Sequence, residues 1–413
     1  MPSPLPRTVR VDAVVLGGGV TGLWTLHQLL QRGYQAVLLE EAKLGGAQTM
    51  ASQGVLHGGL KYALNGVLND ASETIGAMPQ RWADALRGSG EIDLRAVEVL
   101  SPCQYLWPMG SITSRVAAFF ASKTLESRSV ALEPRQHPPA FSPDHYRGSL
   151  YRLEETVVNA ESLVREMARP VADRLFQVDW EHTARLVAEF GHITHIDLPG
   201  PEETVRLTAE RFVLAAGKGN GPVLEKLGCQ SHPAMQLRPL HQVVVKAPDL
   251  PELFVVGIGA GTKPPLVATT HPTADGQRVW YLGGELAEEG VHRDGPAQVS
   301  EARKLLAKHL PWVDLSGAAW ASFRVDRAEG LQPNGSRPDG PLVKTAGNAI
   351  VAWPTKLVLA PLTADLILAE FEKMDLAPGG PDAPPAPALP LPAAAVAQPV
   401  WEELFRPAAP AHV

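Results

Sequence analysis

The chain has 413 residues, 45% hydrophobic and 20% charged, which is the balance of a globular protein large enough for more than one core. A formal net charge of −7 gives no reason to expect nucleic acid, and two cysteines, Cys103 and Cys229, are too few for a disulfide framework or a cysteine-built metal site. No apolar run reaches the length of a membrane span and residues 1–10 lack the apolar core of a signal peptide, so a cytoplasmic protein is expected.

The first predicted element is a strand over Asp12–Leu16, and the glycines Gly17, Gly19 and Gly22 then fill a G-x-G-x-x-G pattern as a helix opens at Val20 and Thr21. Gly17 serves the tight turn, Gly19 lets a pyrophosphate approach the backbone, and Gly22 lets the helix lie close on the strand. Phosphates then sit at the helix N-terminus. Leu23, Leu26 and Leu30 give the helix one apolar stripe, Gly33 ends it, and Ala36–Leu39 form a second strand. Glu40 closes the unit, placed to accept hydrogen bonds from a ribose and to repel a 2′-phosphate.

The next stretch, 41–62, is rich in glycine and small polar residues, which suits close backbone approach to a flat ligand. On Gly17, Gly19, Gly22, Glu40 and the block Gly46, Gln48, Thr49, Ser52, Gln53, Gly54, Val55, Leu56, His57, Gly58, Gly59 and Tyr62, the chain resembles the FAD-dependent oxidoreductases of the D-amino acid oxidase and glycerol-3-phosphate dehydrogenase superfamily. The HGG-x-x-Y run of His57–Tyr62 is most similar to the branch with the glycerol-3-phosphate and L-2-hydroxyglutarate dehydrogenases. The resemblance implies Gln48 and Thr49 near the pyrophosphate, and Ser52, Gln53, Gly54 and Gly58 along the flavin.

Residues 63–150 carry helical patches such as Ala71–Leu86 and an irregular crossing with Pro138, Pro139 and Pro143, as expected of an insertion capping the site. Within it, Val116–Phe120 beside Arg115 and Lys123 suits either a helix buried in its own domain or peripheral membrane contact. Thr156–Arg169 reads as a helix capped by Asn159. Strand-like runs at Leu175–Asp179, His192–Leu198 and Thr204–Leu207 lead to Val213–Ala216, and Ala215, Ala216 and Gly217 match the family's strand packed beside the first nucleotide strand.

From Gln236 the pattern alternates as in an antiparallel sheet, with strands at Gln242–Lys246, Leu253–Gly257, Leu266–Thr270 and Arg278–Gly283 and a helix at Gln298–His309. By the resemblance, an arginine-bearing strand precedes the turn Asp339, Gly340, Pro341. A strand at Asn348–Ala352 then returns to the nucleotide domain, and a helix begins near Thr355 with Leu359, Ala360 and Pro361. The Pro- and Ala-rich remainder, 376–413, reads as a flexible tail whose WEELF run at Trp401–Phe405 docks on the protein itself or on a partner.

Oxidation by a flavin needs positive potential where the reduced ring gathers charge, and the helix start at Thr355, Lys356, Leu357 and Val358 can supply it. Lys356, where the family often has a small residue, faces the flavin, a substrate anion or solvent. His57 is the first candidate for a base, its alternative role being structural; His241 and His271 are second candidates with the same alternative. Arg324 and Arg327 turn to opposite faces of an extended strand, so only one points inward to clamp a carboxylate or phosphate; the other reading is a surface ion pair with Asp326 or Glu329. Lys61 and Tyr62 flank the same expected pocket, Tyr62 being equally suited to the core.

The expectation is therefore an α/β protein of two domains (α+β in arrangement). A glutathione-reductase-like Rossmann FAD-binding domain is assembled from 10–62, 151–235 and 343–375, and an antiparallel-sheet substrate domain from 63–150 and 236–342. Without a cysteine or histidine motif for covalent flavin, the FAD is expected to be non-covalent. The activity implied is hydride transfer to flavin N5 from a CH–OH substrate carrying a carboxylate or phosphate, a 2-hydroxy acid or polyol phosphate, with the electron acceptor left open. The alternatives are an amine or amino-acid oxidase and a flavin-containing assembly subunit.

Overall fold

The first element pair forms as the glycine spacing requires: β1 (Arg7–Leu16) runs into α1 (Val20–Gln31) and then β2 (Ala36–Glu40). The structure is a computed structural model that describes residues 6–57, 76–110, 129–228, 234–259, 261, 263–373 and 384–406. Instead of one apolar stripe, α1 buries every residue from Val20 to Leu29. The reason is a second layer on its far side. There α2 (Met78–Arg87) stacks Trp82 on Trp24 with ring centroids 4.8 Å apart, and the Trp82 indole N–H donates to the Val358 carbonyl at 3.0 Å. Arg81 ties the same helix to Glu91 and Asp365. Residues 78–97 thus share a core with the nucleotide unit, not with the cap to which 63–150 were expected to belong.

The chain then lays down β3 (Val99–Ser101), β4 (Gln104–Pro108), β5 (Ser129–Ala131), β6 (Tyr151–Leu153) and β7 (Val157–Val158). Helix α3 (Ala160–Ala168) starts where expected, because the Asn159 side chain accepts hydrogen bonds from the Glu161 and Ser162 amides. Strands β8 (Leu175–Gln177), β9 (Arg185–Glu189), β10 (His192–Pro199) and β11 (Thr204–Leu214) follow, β11 joining two runs that the sequence pattern separates. After α4 (Asn220–Leu227) come β12 (Met235–Ala247), β13 (Val255–Ile258), β14 (Val267–Pro272), β15 (Arg278–Gly283) and the short α5 (Glu285–Glu289). Helix α6 (Gly295–His309) begins three residues earlier than Gln298, because the Asp294 carboxylate caps the Ala297 amide at 2.8 Å. The chain continues through β16 (Ala319–Gly330), β17 (Leu342–Ala346), β18 (Ala349–Trp353) and α7 (Ala360–Glu372), which a 3₁₀ turn over Leu357–Leu359 precedes.

Two eight-stranded sheets result. The first has the order β17-β18-β11-β1-β2-β8, parallel from β18 to β8, with β10 and β9 added beside β11. The second has the order β16-β12-β15-β14-β13-β4-β6-β5 and is antiparallel except for the parallel pair β13 and β4. Strand β6 belongs to this second sheet, so residues 151–153 lie outside the nucleotide unit. One face of the second sheet packs Val243, Val245, Trp280 and Leu282 with Ala302 and Leu306 of α6; the inner face looks toward the nucleotide unit.

The flexible tail expected from composition is corrected over 384–406. The Leu44 amide donates to the Ala395 carbonyl at 2.8 Å, the Ala397 amide to Leu44 at 3.0 Å and the Gln177 amide to Pro392 at 2.8 Å. Helix α8 (Val400–Leu404) then buries Trp401 against Tyr281 and Val279 on the inner face of the second sheet. Backbone pairing and one large ring supply the order that the Pro/Ala composition does not suggest. No described helix is long and apolar enough to cross a membrane, and Val116–Phe120 lies outside the described residues.

Candidate active site

The glycine turn after β1 is a cradle closed by backbone. Gly17 has φ +107, and a Cβ there would stand 2.6 Å from the Ala216 Cα; a Cβ on Gly22 would overlap the Gly17 carbonyl oxygen. Gly19 is the extended N-cap of α1, and the Thr49 hydroxyl accepts the Val20 amide at 3.1 Å. Glu40 reaches back into the turn, its Oε2 accepting the Gly18 amide at 2.6 Å and its Oε1 the Ala42 amide at 3.0 Å. Both oxygens retain lone pairs for a ribose. Ala216 and Gly217 follow β11 directly and are held by Asn220, which accepts the Ala216 amide at 2.9 Å and donates to Ala352 at 3.1 Å. The fully buried Asn220 carries no motif in the sequence, and the pairing of β11 with β18 is what places it.

Residues 51–53 lie against the inner face of the second sheet, and residues 54–56 pair with 156–158. The Tyr281 hydroxyl donates to the Ala51 carbonyl at 2.6 Å, and Gln53 Nε2 donates to the carbonyls of Val267 at 3.1 Å and Tyr281 at 2.8 Å. Ser52 Oγ accepts the Gly54 amide at 3.4 Å, and Leu56 pairs with Thr156. At the far end His57 Nδ1 lies 3.1 Å from Oε2 of Glu155, whose side chain is 4% exposed against 42% for His57. Gln48 leans the other way, its Oε1 accepting the Ala328 amide of β16 at 3.0 Å. Gly58, Lys61 and Tyr62 lie outside the described residues.

Strand parity decides which of the expected substrate residues face this loop. His241 pairs with Arg324, and Arg238 with Arg327, along β12 and β16. Gln242, Arg238, Arg327 and Glu329 share the inner face with Tyr281, whereas His241 and Arg324 turn outward. The expectation for Arg324 is therefore corrected: its guanidinium donates to the carbonyls of Val291 at 2.9 Å and Arg293 at 2.7 Å, on the outer face. His241 is corrected likewise, since Nδ1 is 2.9 Å from the Gly290 carbonyl and Nε2 is 2.9 Å from the Ser322 hydroxyl, which leaves no ring nitrogen for a substrate. His271 faces inward but packs under Trp401, and complete burial brings its pKa down to about 3, so it is a neutral core residue.

Arg327 and Arg238 stand side by side on the inner face. Arg238 is held by the buried Glu329 at 2.7 Å, while Arg327 lies 3.7 Å from Glu288, which is bound more closely by Lys263 at 2.6 Å. Burial, and after it the Arg238 charge, brings the Arg327 pKa down to about 10. Arg337 adds a further positive charge near Arg327 and donates to the Thr355 carbonyl at 3.0 Å. Arg327 is half-buried and its Nε also donates to the Arg238 carbonyl at 3.2 Å, so among the described residues the inner face gathers three cations, two of them side by side. Thr355 is buried with its hydroxyl unpartnered among the described residues, Lys356 and Leu357 are half-buried at the start of the 3₁₀ turn, and Val358 is core.

The residues present fit FAD: a backbone cradle for the pyrophosphate, an acid at the ribose position, and two buried unpartnered hydroxyls, Thr21 Oγ1 and Thr355 Oγ1, at the two helix starts that bound the site. The family described as FAD dependent oxidoreductase (DAO) matches residues 12–367. The chain is 44% identical over 402 residues to the FAD dependent oxidoreductase PA4991 of Pseudomonas aeruginosa, covering 97% of this chain and 100% of that one. The crystal structure of that protein superposes with a TM-score of 0.81. Glycine oxidase from Geobacillus kaustophilus (17% identity, 89% of this chain and 96% of that one, TM-score 0.60) and FAD-bound L-alpha-glycerophosphate oxidase from Mycoplasma pneumoniae (14% identity, 88% and 95%, TM-score 0.58) share the fold.

Proposed function

We infer the function from one premise, that this chain belongs to the DAO family of FAD-dependent oxidoreductases. It is a flavoenzyme, and the reading its site supports best is oxidation of a small organic anion at a carbon bearing a hydroxyl or amino group. The observation that carries this is the pair Arg238 and Arg327, in register on the same face of the second sheet as Tyr281.

FAD supplies the two-electron acceptor. Gly17, Gly19, Val20, Thr21, Gly22 and Glu40 hold its pyrophosphate and ribose side, and Thr49, Ser52, Gln53, Gly54, Ala216, Gly217 and Thr355–Val358 enclose the rest. Arg327 and Arg238 bind the substrate anion and fix its orientation. His57, with Nδ1 turned to the buried Glu155, keeps Nε2 to take the proton released from oxygen or nitrogen. Lys356 adds positive potential at the helix start. The HGG run supports the glycerol-3-phosphate and 2-hydroxy-acid branch, yet the arginines accept a 2-hydroxy acid, a polyol phosphate or an amino acid alike, since all three offer an anion.

Anaerobic mixing of the FAD-loaded protein with hydroxy acids, polyol phosphates and amino acids tests the reading. One class is expected to bleach the flavin, and Arg327→Met to raise the concentration needed at least tenfold. Bleaching that is indifferent to Arg327→Met rules the anion site out.

A further inference from the structure

The loop that follows Glu40 lies on the glycine turn, and the end of the chain holds that loop in place. Leu44 is 1% exposed, and its side chain rests on Gly18, where an added Cβ would overlap Leu44 Cδ2. The Gly45 amide donates to the Gly18 carbonyl at 2.9 Å, and Thr49 Oγ1 accepts the Val20 amide at the start of α1. Both backbone groups of Leu44 are taken by the C-terminal segment. Its amide donates to the Ala395 carbonyl and its own carbonyl accepts from the Ala397 amide, a parallel bridge with Val396. Just before this bridge the Ala394 amide donates to the Leu175 carbonyl at 3.0 Å, so the segment extends the first sheet beyond β8. Just after it, Trp401 covers Tyr281, whose hydroxyl holds the Ala51 carbonyl at the other end of the same loop. The loop is thus backed at both ends by residues beyond 367, where the family match stops.

We propose that residues 384–406 are a strap that retains FAD: while the strap is docked, the loop from Leu44 to Gln53 stays on the glycine turn, and FAD leaves only after the strap has come away. The cause is local stability. With the strap in place, opening the loop breaks two hydrogen bonds at Leu44 and uncovers a buried leucine. Without it, the same groups already face water and the loop opens at little cost. The effect is mutual, for if the strap tightens FAD binding, FAD tightens docking of the strap by the same factor. This rests on the reading of Gly17–Gly22 as the FAD cradle and concerns retention of the cofactor, not the chemistry at the substrate carbon.

The test uses the FAD-loaded full chain and two substitutions at one position. Ala397→Pro deletes the amide that the Leu44 carbonyl accepts and leaves Trp401 in place, whereas Ala397→Ser keeps that amide. FAD release is followed as the rise of flavin fluorescence on high dilution. Ala397→Pro is expected to speed release by roughly five- to fiftyfold, and Ala397→Ser by less than about twofold. Chymotrypsin supplies a second measurement, because cutting after Trp401 tracks the undocked population. FAD is expected to slow that cut by about tenfold relative to the apoprotein and to leave cutting after Phe190, a 99% exposed hairpin tip, unchanged. A segment that only stabilises the whole fold is protected equally at both positions. Release from Ala397→Pro at the wild-type rate, or cutting after Trp401 that FAD does not slow beyond its effect at Phe190, overturns the proposal. Should Ala397→Pro fail to fold, the chymotrypsin comparison on the unaltered chain decides alone. The two readings fail separately: if Gly22→Ala purifies without FAD while Ala397→Pro releases it at the wild-type rate, the cradle stands without the strap. If Gly22→Ala keeps a full complement of FAD, the cradle itself falls.

Discussion

The indole of Trp401 lies on the imidazole of His271, with ring centroids 4.9 Å apart, and fastens the last described helix to the inner face of the second sheet. Tyr281 and Phe323 complete the cluster, and Tyr281 in turn holds the Ala51 carbonyl. Trp401→Ala removes a large ring that is 4% exposed and is expected to lower the free energy of unfolding by about 3–5 kcal/mol. Urea denaturation reads this directly. An unchanged midpoint shows that the docked segment carries no stability.

His271 makes stability depend on pH. Its folded pKa of about 3 lies below the ordinary 6.5, so on acidification the unfolded chain takes up a proton that the folded protein refuses. The stabilisation is therefore complete above about pH 6.5 and is lost as the pH falls toward 3, by up to about 1.4 kcal/mol per pH unit. His271→Phe, which keeps a ring under Trp401, is expected to flatten that part of the profile. Equal slopes for both proteins between pH 6 and 4 rule this out.

Gly22→Ala places a methyl group against the Gly17 carbonyl oxygen and must push α1 away from β1. The variant is expected to purify without flavin while the second sheet and its core remain folded. A full complement of FAD in Gly22→Ala contradicts the cradle.

Substitution of Arg324 and Arg327 tests whether substrate binding and packing fall to different arginines. Arg324→Ala removes two hydrogen bonds to carbonyls on the outer face and is expected to leave kcat/KM within about twofold, with a stability loss of about 1–2 kcal/mol. Arg327→Met is expected to lower kcat/KM by roughly ten- to a hundredfold, the loss of a charge-assisted contact. Steady-state rates with the substrate that bleaches the flavin decide between them, and a reversed order of effects places the anion on the outer face.

The nucleotide unit was legible because its signal is local: strand, glycine turn, helix and acid lie within about thirty residues and need no partner to be recognised. Parity was also legible, since Arg324 and Arg327 must face opposite ways. Which of them faces inward was not, for it depends on pairing with a strand 80 or more residues earlier, where His241 opposes Arg324 and Arg238 opposes Arg327. The same register turns His241 outward and Gln242 inward, and a lone glutamine at the head of an apolar run carries no signal of its own. Residues 384–406 misled through composition. Proline and alanine bury little side-chain surface, but here the backbone itself pairs, with Leu44, Leu175 and Gln177 as partners.

The order of the first sheet has a consequence for how the protein is made. Strand β1 emerges from the ribosome early, yet its neighbour β11 ends at Leu214, the strand beyond that spans Ala349–Trp353, and the pairing at Leu44 waits for Val396. The nucleotide unit cannot be completed until residue 396 has been made, so its apolar strands lack their last partners while the intervening residues are synthesised. Slowing translation between β11 and β18 is therefore expected to lengthen the life of an aggregation-prone intermediate in which the edge for β18 stays open.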